Sequence, residues 1–302
     1  VISNTTPACT QTLTECATVT ILPLPTASIS ANTICEGTAG TVTITGTPNA
    51  TVNYTVDSGL IQTIILNGSG TAVITSPVLT SDSVYCVEEV ISATTPACSA
   101  TLTNVCASIT VLPLPTAVIS ANTTCVGSTG TVTITGTANA TVTYTVDAGI
   151  NQTIVLDASG NASITSPVLT ANSEYCLVDV TSNTTPACTQ TVTSCATIAV
   201  LPLPTATLVA NTVCSGTSGT VTITGTANAT VTYTVDSGSN QTIVLDASGT
   251  GTITTPVLTA NSVYCLVNVI SNTTPACTQV LTDCATVTVN PLPSVSISTT
   301  TP

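Results

Sequence analysis

Residues 131–147 read TVTITGTANATVTYTVD, and this stretch decides the fold class. It returns unchanged at 220–236, and at 41–57 with two substitutions. The three copies begin 90 and 89 residues apart, so the 302-residue chain is a tandem array of one small repeat. Function must therefore be sought in what an array can do, which is to span distance, to present a repeated surface or to assemble.

Within one repeat the apolar residues recur with a period of two. Val132 and Ile134 alternate with threonines, and so do Val142 and Tyr144. Such alternation, interrupted by Gly, Asn and Asp about every ten residues, is typical of short strands in an all-β sandwich. The first repeat is predicted to hold about seven strands, and the other two repeats are predicted to hold equivalent ones. In the first repeat these strands span 26–31, 41–47, 51–57, 62–66, 71–75, 83–91 and 105–112.

Paired prolines mark the boundaries between repeats. The string LPLP occurs at 22–25, 112–115 and 201–204, and PLP follows at 291–293. Two nearby prolines favour extended backbone, which predicts a short, semi-rigid connection. The predicted domains are three complete repeats flanked by the end of a preceding repeat and the start of a following one: 1–24, 25–114, 115–203, 204–293 and 294–302.

The charge excludes several classes of function. The chain has no Lys, Arg or His, and 13 acidic residues give it a net charge of -13. Without basic side chains it cannot neutralise nucleic-acid phosphates or an anionic membrane surface. No apolar stretch approaches the roughly 20 residues that span a bilayer, so no direct membrane insertion is expected. Since a nucleophile has no His or Lys base here, we predict no catalytic residues and no enzyme.

The cysteines predict a disulfide framework. Long pairs separated by 51 residues and short pairs separated by 7 or 8 recur with the repeat: Cys35/Cys86, Cys125/Cys176, Cys214/Cys265, Cys9/Cys16, Cys98/Cys106, Cys188/Cys195 and Cys277/Cys284. Even numbers at fixed positions favour one long and one local disulfide per repeat, within repeats, in an oxidising extracellular setting. Structural zinc is the competing interpretation, but there is no His and no CxxC pair.

The long cysteine pair and the strand pattern resemble an immunoglobulin-like sandwich. The strings LPLPTA, VTITGTANATVTYTVD and QTIVLDASG resemble the immunoglobulin-like repeats of giant surface adhesins of Flavobacterium and related Bacteroidetes. This family includes the SprB-like gliding-motility adhesins. The resemblance covers essentially the whole chain and implies type IX secretion and attachment at the cell surface.

Few residues are candidates for a ligand or a modification. Asp57, Asp147 and Asp236 are interpreted as turn residues, with calcium as the alternative, and no other cofactor is expected. Asp82-Ser83-Val84 fits the O-glycosylation pattern of the Bacteroidetes, which makes Ser83 a candidate site. The six tyrosines occur two per repeat and are interpreted as core residues rather than as a carbohydrate platform.

The sequence predicts a structural or adhesive cell-surface filament, an extended stalk of repeats. The alternative is a self-assembling extracellular fibre or sheath, since strand edges rich in Val, Ile and Thr carry few charges to block pairing. A minor alternative is an ice-binding surface built from rows such as Thr41, Thr43 and Thr45. The expected partners are further copies of the repeat in the same chain, and surface or polysaccharide ligands held by regions outside it.

Overall fold

The computed structural model describes residues 1–297, and the secondary structure in that range is β-strand. The first repeat contains β1 (Ala27–Ala31), β2 (Thr33–Cys35), β3 (Thr38–Gly46), β4 (Thr51–Val56), β5 (Gln62–Ile65), β6 (Thr71–Leu79), β7 (Ser83–Ile91) and β8 (Ser99–Leu112). The second contains β9 (Ala117–Ala121), β10 (Thr123–Cys125), β11 (Ser128–Gly136), β12 (Thr141–Val146), β13 (Gln152–Val155), β14 (Asn161–Leu169), β15 (Ser173–Thr181), β16 (Thr189–Thr191) and β17 (Cys195–Leu201). The third contains β18 (Ala206–Ala210), β19 (Thr212–Cys214), β20 (Thr217–Gly225), β21 (Thr230–Val235), β22 (Gln241–Val244), β23 (Thr250–Leu258), β24 (Ser262–Ile270), β25 (Thr278–Val280) and β26 (Cys284–Asn290).

Each repeat folds its strands into two sheets. In the first repeat the smaller sheet has the order β1-β3-β6, and the larger has the order β2-β8-β7-β4-β5. The pairs are antiparallel except that β2 runs parallel to β8. The second and third repeats follow the same order, but two strands replace β8, namely β16 and β17 or β25 and β26. The predicted all-β sandwich is confirmed.

The core lies between the two sheets because both supply buried side chains at alternate positions. In the first repeat, Ile44 of the smaller sheet packs with Val52 and Val87 of the larger one, and all three are buried. Val132, Ile134 and their neighbours form the equivalent cluster in the second repeat. The residues that alternate with these along each strand are mostly Thr and Ser. Each sheet therefore has one apolar face toward the core and one hydroxyl-bearing face on the other side.

The short strand β2 is absent from the predicted set. It spans only Thr33–Cys35 and follows β1 after a single residue, Asn32. The Asn32 side chain accepts a hydrogen bond from the Thr41 backbone N–H at 2.8 Å, which holds the corner where the chain passes from the smaller to the larger sheet. Three residues with one apolar member give no detectable period, so the pattern could not predict this strand.

Two glycines fix a corner at the end of the smaller sheet. Gly70 has φ +76°, where an L side chain is strained, and it closes the turn that the Asn67 side chain caps. A Cβ on Gly46 would overlap the carbonyl oxygen of Thr26. The turn at 67–70 therefore needs a glycine at its last position, and the backbone approach at Gly46 is an added constraint.

The chain divides into two compact units. One comprises Val1–Leu114 together with Thr184–Cys188, and the other comprises Pro115–Asn183 and the residues from Thr189 onward. The short segment Thr184–Cys188 thus groups with the first repeat although its sequence belongs to the second. The domain boundaries drawn from the prolines stay predictions, and part of the predicted segment 294–302, residues 298–302, lies outside the described residues. Residues 1–297 contain no helix that could cross a bilayer.

Candidate functional site, a disulfide joint between repeats

Three disulfides are local and lie within one sheet. Cys86 on β7 and Cys106 on β8 stand directly opposite each other in the strand register, with 4.1 Å between their Cα atoms. The equivalent bonds in the other repeats are Cys176–Cys195 and Cys265–Cys284. Each bond therefore ties two neighbouring strands of the larger sheet together.

Two further disulfides join different repeats. Cys35 of the first repeat bonds to Cys188 of the second, with 5.5 Å between Cα atoms. Cys125 of the second bonds to Cys277 of the third, with 5.6 Å between Cα atoms. The sequence separations of 153 and 152 residues differ by one, so the same joint is made twice.

The predicted pairing of cysteines within each repeat was wrong. Cys35 ends β2 and Cys86 lies on β7, and β8 runs between those strands in the same sheet. Two strand spacings amount to about 10 Å, which exceeds the roughly 7 Å limit between the Cα atoms of a disulfide. Cys35–Cys86 and the equivalent pairs Cys125–Cys176 and Cys214–Cys265 are therefore not formed.

The predicted short pair Cys98–Cys106 fails for a different reason. Cys98 directly precedes β8, and Cys106 lies farther along that same extended strand. Eight residues of strand rise about 26 Å, which keeps the two sulfurs apart. The equivalent pairs Cys188–Cys195 and Cys277–Cys284 are not formed either, because each of these cysteines bonds elsewhere.

Four cysteines carry no disulfide, contrary to the prediction: Cys9, Cys16, Cys98 and Cys214. Cys9 and Cys98 stand at the repeat position of the bonded Cys188 and Cys277. Cys214 stands at that of the bonded Cys35 and Cys125, and Cys16 at that of Cys106. For each of these four cysteines, the cysteine at the equivalent position of another repeat is therefore bonded.

One half of the joint is a loop with the sequence SNTTPAC or SATTPAC, which we call the TTPAC loop. It occurs at 3–9, 92–98, 182–188 and 271–277. In the last copy the Cys277 N–H donates to the Ser271 hydroxyl oxygen at 2.8 Å, and the Thr273 hydroxyl donates to the Pro275 carbonyl at 2.8 Å. Cys188 and Cys277 are almost completely buried once bonded. The loop is thus held by its own hydrogen bonds and inserts its cysteine into a closed environment.

The other half is a cysteine at the end of an edge strand of the larger sheet, which we call the edge cysteine: Cys35, Cys125 or Cys214. The Cys35 carbonyl accepts a 2.6 Å hydrogen bond from the Thr38 hydroxyl. The next N–H, that of Glu36, donates to the Leu112 carbonyl at 2.8 Å. Parallel pairing of β2 with β8 fixes the strand itself. These bonds position the edge cysteine where a loop can approach it.

The turn aspartates have a structural role. The Asp57 carboxylate accepts hydrogen bonds from the Ser83 hydroxyl at 3.0 Å and from the Val84 N–H at 2.7 Å. Asp147 and Asp236 make the same two contacts in their repeats. Asp57 lies in the predicted turn, and its oxygens tie that turn to β7, the strand beside β4 in the larger sheet. Calcium binding there stays the alternative prediction, and it would compete with these hydrogen bonds.

One side-chain group has the composition of a metal site. Glu174, Cys176 and Cys195 bring three potential ligand atoms within 4.8 Å of one another. The two sulfurs are joined to each other in a disulfide, so they are not the thiolates that a metal would need. This group is therefore assigned to the local disulfide.

Ser83, the predicted O-glycosylation site, is only 3% exposed, and its hydroxyl donates to Asp57. This oxygen is therefore shielded in the folded repeat, and O-glycosylation at Ser83 stays a prediction. Asp82 beside it accepts a hydrogen bond from the Val111 N–H, and Asn172 and Asn261 do the same in the other repeats. The side-chain oxygen common to Asp and Asn explains why this position tolerates both.

The tyrosines are core residues, as predicted. Tyr144 and Tyr175 are buried with ring centroids 6.4 Å apart. The Tyr144 hydroxyl donates to the Gln152 side chain at 3.2 Å. Burial raises the pKa of Tyr144, and the neighbouring Tyr175 raises it further. Such rings offer no exposed face to a sugar.

The adjacent carboxylates Glu88 and Glu89 share one face of the sheet, although neighbours on a regular strand should face opposite sides. A bulge in β7 causes the difference, because the pairing with β8 shifts between Val87 and Glu89. Asn53 donates to Glu89, and Thr55 donates to Glu88. Val178 and Val267 replace Glu88 in the other repeats, so the pair is not a repeated feature.

The threonine row Thr41, Thr43 and Thr45 lies on β3, in the middle of the smaller sheet. Its neighbours across the strands include Ser28, whose hydroxyl is 2.7 Å from that of Thr45. Val73 on β6 stands opposite Thr43, so the array of hydroxyl groups on this face is interrupted there by an apolar side chain. Ice binding by this face stays a prediction.

No family model matches the chain, and no curated protein matches it. It is similar in structure to part of a 1.5-MDa bacterial ice-binding adhesin, solved in work on its retention at the host cell surface, with a TM-score of 0.50 and 15% identity over 89% of this chain and 99% of that one. An I-band fragment of titin is 12% identical over 90% and 100% of the two chains, with a TM-score of 0.40. A second titin tandem is 10% identical over 89% and 100%, with a TM-score of 0.34. The strand order and the likeness to the adhesin show the fold alone, a tandem array of immunoglobulin-like sandwiches.

Proposed function

We propose that this chain is part of an extracellular stalk, in which disulfide-joined immunoglobulin-like repeats carry an adhesive region away from a bacterial cell. The fold supports a structural or adhesive role. The observation that carries the proposal is the joint made twice between successive repeats, Cys35–Cys188 and Cys125–Cys277. A covalent bond between neighbours serves an array that must hold its length under load.

The disulfides support an extracellular location. Five bonds in one chain suit an oxidising compartment outside the cytosol. The resemblance to surface adhesins of the Bacteroidetes adds type IX secretion and a role in gliding motility to the proposal. The ligands of such a stalk, surfaces or polysaccharides, would be bound by regions outside these residues, and the partners of each repeat are its neighbours.

Labelling at the surface of intact cells tests this proposal. An antibody raised against residues 115–203 should decorate thin single strands in electron micrographs of unpermeabilised cells. In solution, the oxidised chain should scatter X-rays as an elongated particle. Absence of surface label, or a compact particle, would contradict the stalk.

A fibre or sheath formed by lateral packing is the second candidate. It is favoured by exposed aliphatic residues on edge strands of both sheets, such as Val78 on β6 and Ile65 on β5, which are 66% and 67% exposed. Val168 and Val155 repeat them in the second repeat. Bundled fibres in place of single strands in the same micrographs would select this alternative.

A further inference from the structure

We propose that Asn67 is a site of spontaneous modification, at which the side-chain amide is converted to a carboxylate through attack by the Gly68 backbone nitrogen. The dipeptide Asn-Gly occurs once in the chain, at 67–68, and the other repeats have Asp-Ala at this turn, at 157–158 and 246–247. The product is therefore an aspartate where the other repeats already have one. This inference goes beyond a structural or adhesive role, because it assigns a chemical reaction to one residue.

The turn leaves the attacking nitrogen accessible. Asn67 and Gly68 are both exposed, and a Cβ added to Gly68 would meet no atom within 4 Å. Within residues 1–297, the Gly68 N–H donates to no backbone carbonyl. A base in the solvent can therefore remove its proton, and the nitrogen can approach the Asn67 side chain without displacing another residue.

The Asn67 side chain is held by its oxygen. Oδ1 accepts hydrogen bonds from the Ser69 N–H at 3.0 Å, from the Ser69 hydroxyl at 2.7 Å and from the Thr71 N–H at 2.9 Å. These donors draw electron density from Cγ, and they surround the oxygen on which negative charge develops when a nitrogen adds to that carbon. The contacts are made to Oδ1 and not to Nδ2, the nitrogen that must leave as ammonia.

The reaction requires only water and a base. The Gly68 nitrogen loses its proton to hydroxide and bonds to Cγ of Asn67. The Cγ–Nδ2 bond then breaks, and Nδ2 takes a proton from water and leaves as ammonia, so that a five-membered imide joins residues 67 and 68. Water adds to Cγ, the bond from Cγ to the Gly68 nitrogen breaks, and that nitrogen regains a proton. In sum, one amide and one water become one carboxylate and one ammonium ion.

The folded turn accepts an aspartate without rearrangement, as the third repeat demonstrates. There Asp246 Oδ1 accepts hydrogen bonds from the Ser248 N–H at 2.8 Å, from the Ser248 hydroxyl at 2.6 Å and from the Thr250 N–H at 2.9 Å. These are the equivalents of the three donors to Asn67. The bonds from the Ser248 hydroxyl and then from the Thr250 N–H lower the pKa of Asp246, so this turn favours a carboxylate.

The same turn disfavours the isomeric product. Isoaspartate forms when water opens the imide at the backbone carbonyl instead of at Cγ, and the main chain then runs through Cγ and gains one carbon. The Asn67 carbonyl accepts hydrogen bonds from the Gly70 N–H at 2.8 Å and from the Asn49 N–H at 3.1 Å, and the Asn67 N–H donates to the Thr71 carbonyl at 3.0 Å. An added carbon would disturb these bonds, so the folded chain should yield the ordinary aspartate.

Incubation of the oxidised chain in mildly alkaline buffer tests the proposal. Anion-exchange chromatography should resolve a species with one negative charge more than the starting chain, whose net charge is -13. Peptide mapping by mass spectrometry should place the change at Asn67 before any other asparagine. A protease that cleaves before aspartate but not before isoaspartate should cut before residue 67 of the product. No change at Asn67, or an earlier change at another asparagine, overturns the proposal.

Gly68→Ala is the variant that tests the nucleophile. It introduces the alanine that the other repeats have at 158 and 247, and its Cβ meets no neighbouring atom, so the fold is retained. The Cβ hinders the approach of the nitrogen to Cγ, and modification of Asn67 should become roughly tenfold slower. An unchanged rate would mean that the Gly68 nitrogen does not attack, and the proposal would fail.

The same incubation in guanidinium, with the disulfides intact, measures what the folded turn contributes. The unfolded chain lacks the hydrogen bonds that the added carbon would disturb, so the share of isoaspartate at residue 67 should rise at the expense of aspartate. Asn67→Asp provides the reference for the ordinary product and should elute with the modified chain. Equal product ratios from the folded and unfolded chains would contradict selection by the turn.

Discussion

Cys35 and Cys188 are bonded to each other across 153 residues of sequence, whereas Cys86, in the same sheet as Cys35, bonds to its strand neighbour Cys106. Each repeat therefore has one bond that fastens its own strands, and the first and second repeats each share a further bond with the repeat that follows. As a result, residues 36–124 lie outside the shortest covalent path between the two ends of the chain. This relationship has mechanical and thermodynamic consequences.

Pulling the oxidised chain by its ends should release little length from the first repeat, because the Cys35–Cys188 bond carries the load past it. In a Cys35→Ser/Cys188→Ser variant, unfolding of that repeat should add on the order of 200 Å, since about 3.5 Å is released per residue outside the local disulfide loop. Single-molecule force extension measures this length. Equal extensions for the two chains would contradict the connectivity.

Removing a joint should destabilise more than removing a local bridge. In the loop-entropy model, the 152-residue separation of Cys125–Cys277 corresponds to about 5 kcal/mol and the 19-residue separation of Cys176–Cys195 to about 3 kcal/mol. The double serine variants of each pair, unfolded by guanidinium without reductant, test the ranking. A larger loss of unfolding free energy from the local pair would show that strain or residual structure outweighs loop closure.

The second repeat should fold alone. Its buried cluster, from Ala117 to Ile198, draws all its members from within 115–203. The isolated fragment should keep Cys176–Cys195 and contain two titratable thiols, Cys125 and Cys188, because the partners of both belong to other repeats. Thiol titration and dispersed amide resonances check this. A fragment without free thiols would mean that these two cysteines pair with each other.

Gly46→Ala should cost roughly 1–3 kcal/mol, because the added methyl overlaps the Thr26 carbonyl oxygen and neither backbone can yield cheaply. Gly68→Ala is the matched control in the same repeat. A Cβ on Gly68 meets no atom within 4 Å, so its effect should stay within about 0.5 kcal/mol. Chemical denaturation of both variants gives the comparison, and similar losses would refute the role of the Gly46 contact.

Stability should fall in alkaline solution. Burial first, and the neighbouring tyrosine second, raise the pKa of Tyr54, Tyr144 and Tyr233 above the ordinary value of 10.0. The folded state thus holds these protons more tightly than the unfolded state. Their contribution is complete below pH 10 and is lost as the pH rises through the folded pKa. Tyrosinate absorbance and denaturation across this range measure it. Tyr144→Phe should reduce the slope, and an unchanged slope would assign the loss to other groups.

The local patterns of the sequence were sufficient for the seven predicted strands and for the turns, but not for the three-residue strand β2. Val132 and Ile134 alternate with threonines, and they form a buried row on β11 as that period requires. Asp57 was predicted in a turn and lies in one, although its carboxylate accepts the N–H of Val84, which is 27 residues away and comes close only in the folded sheet. The strand period and the turn position depend on residues close in sequence, so a single repeat contains the information.

The partners of the cysteines were decided by the tertiary structure alone. A separation of 51 residues says nothing about whether Cys35 and Cys86 lie on facing sheets or, as they do, two strands apart in one sheet. The one sequence signal for the joint was the TTPAC loop. Its sequence changes at a single position among four copies, whereas loops usually vary more than the strands that they connect. The sequence by itself determined the repeat, its seven predicted strands and its turns, because these follow from the period of a strand and from turn-forming residues. The bond between Cys35 and Cys188 required the folded chain, because only packing brings two groups 153 residues apart within reach.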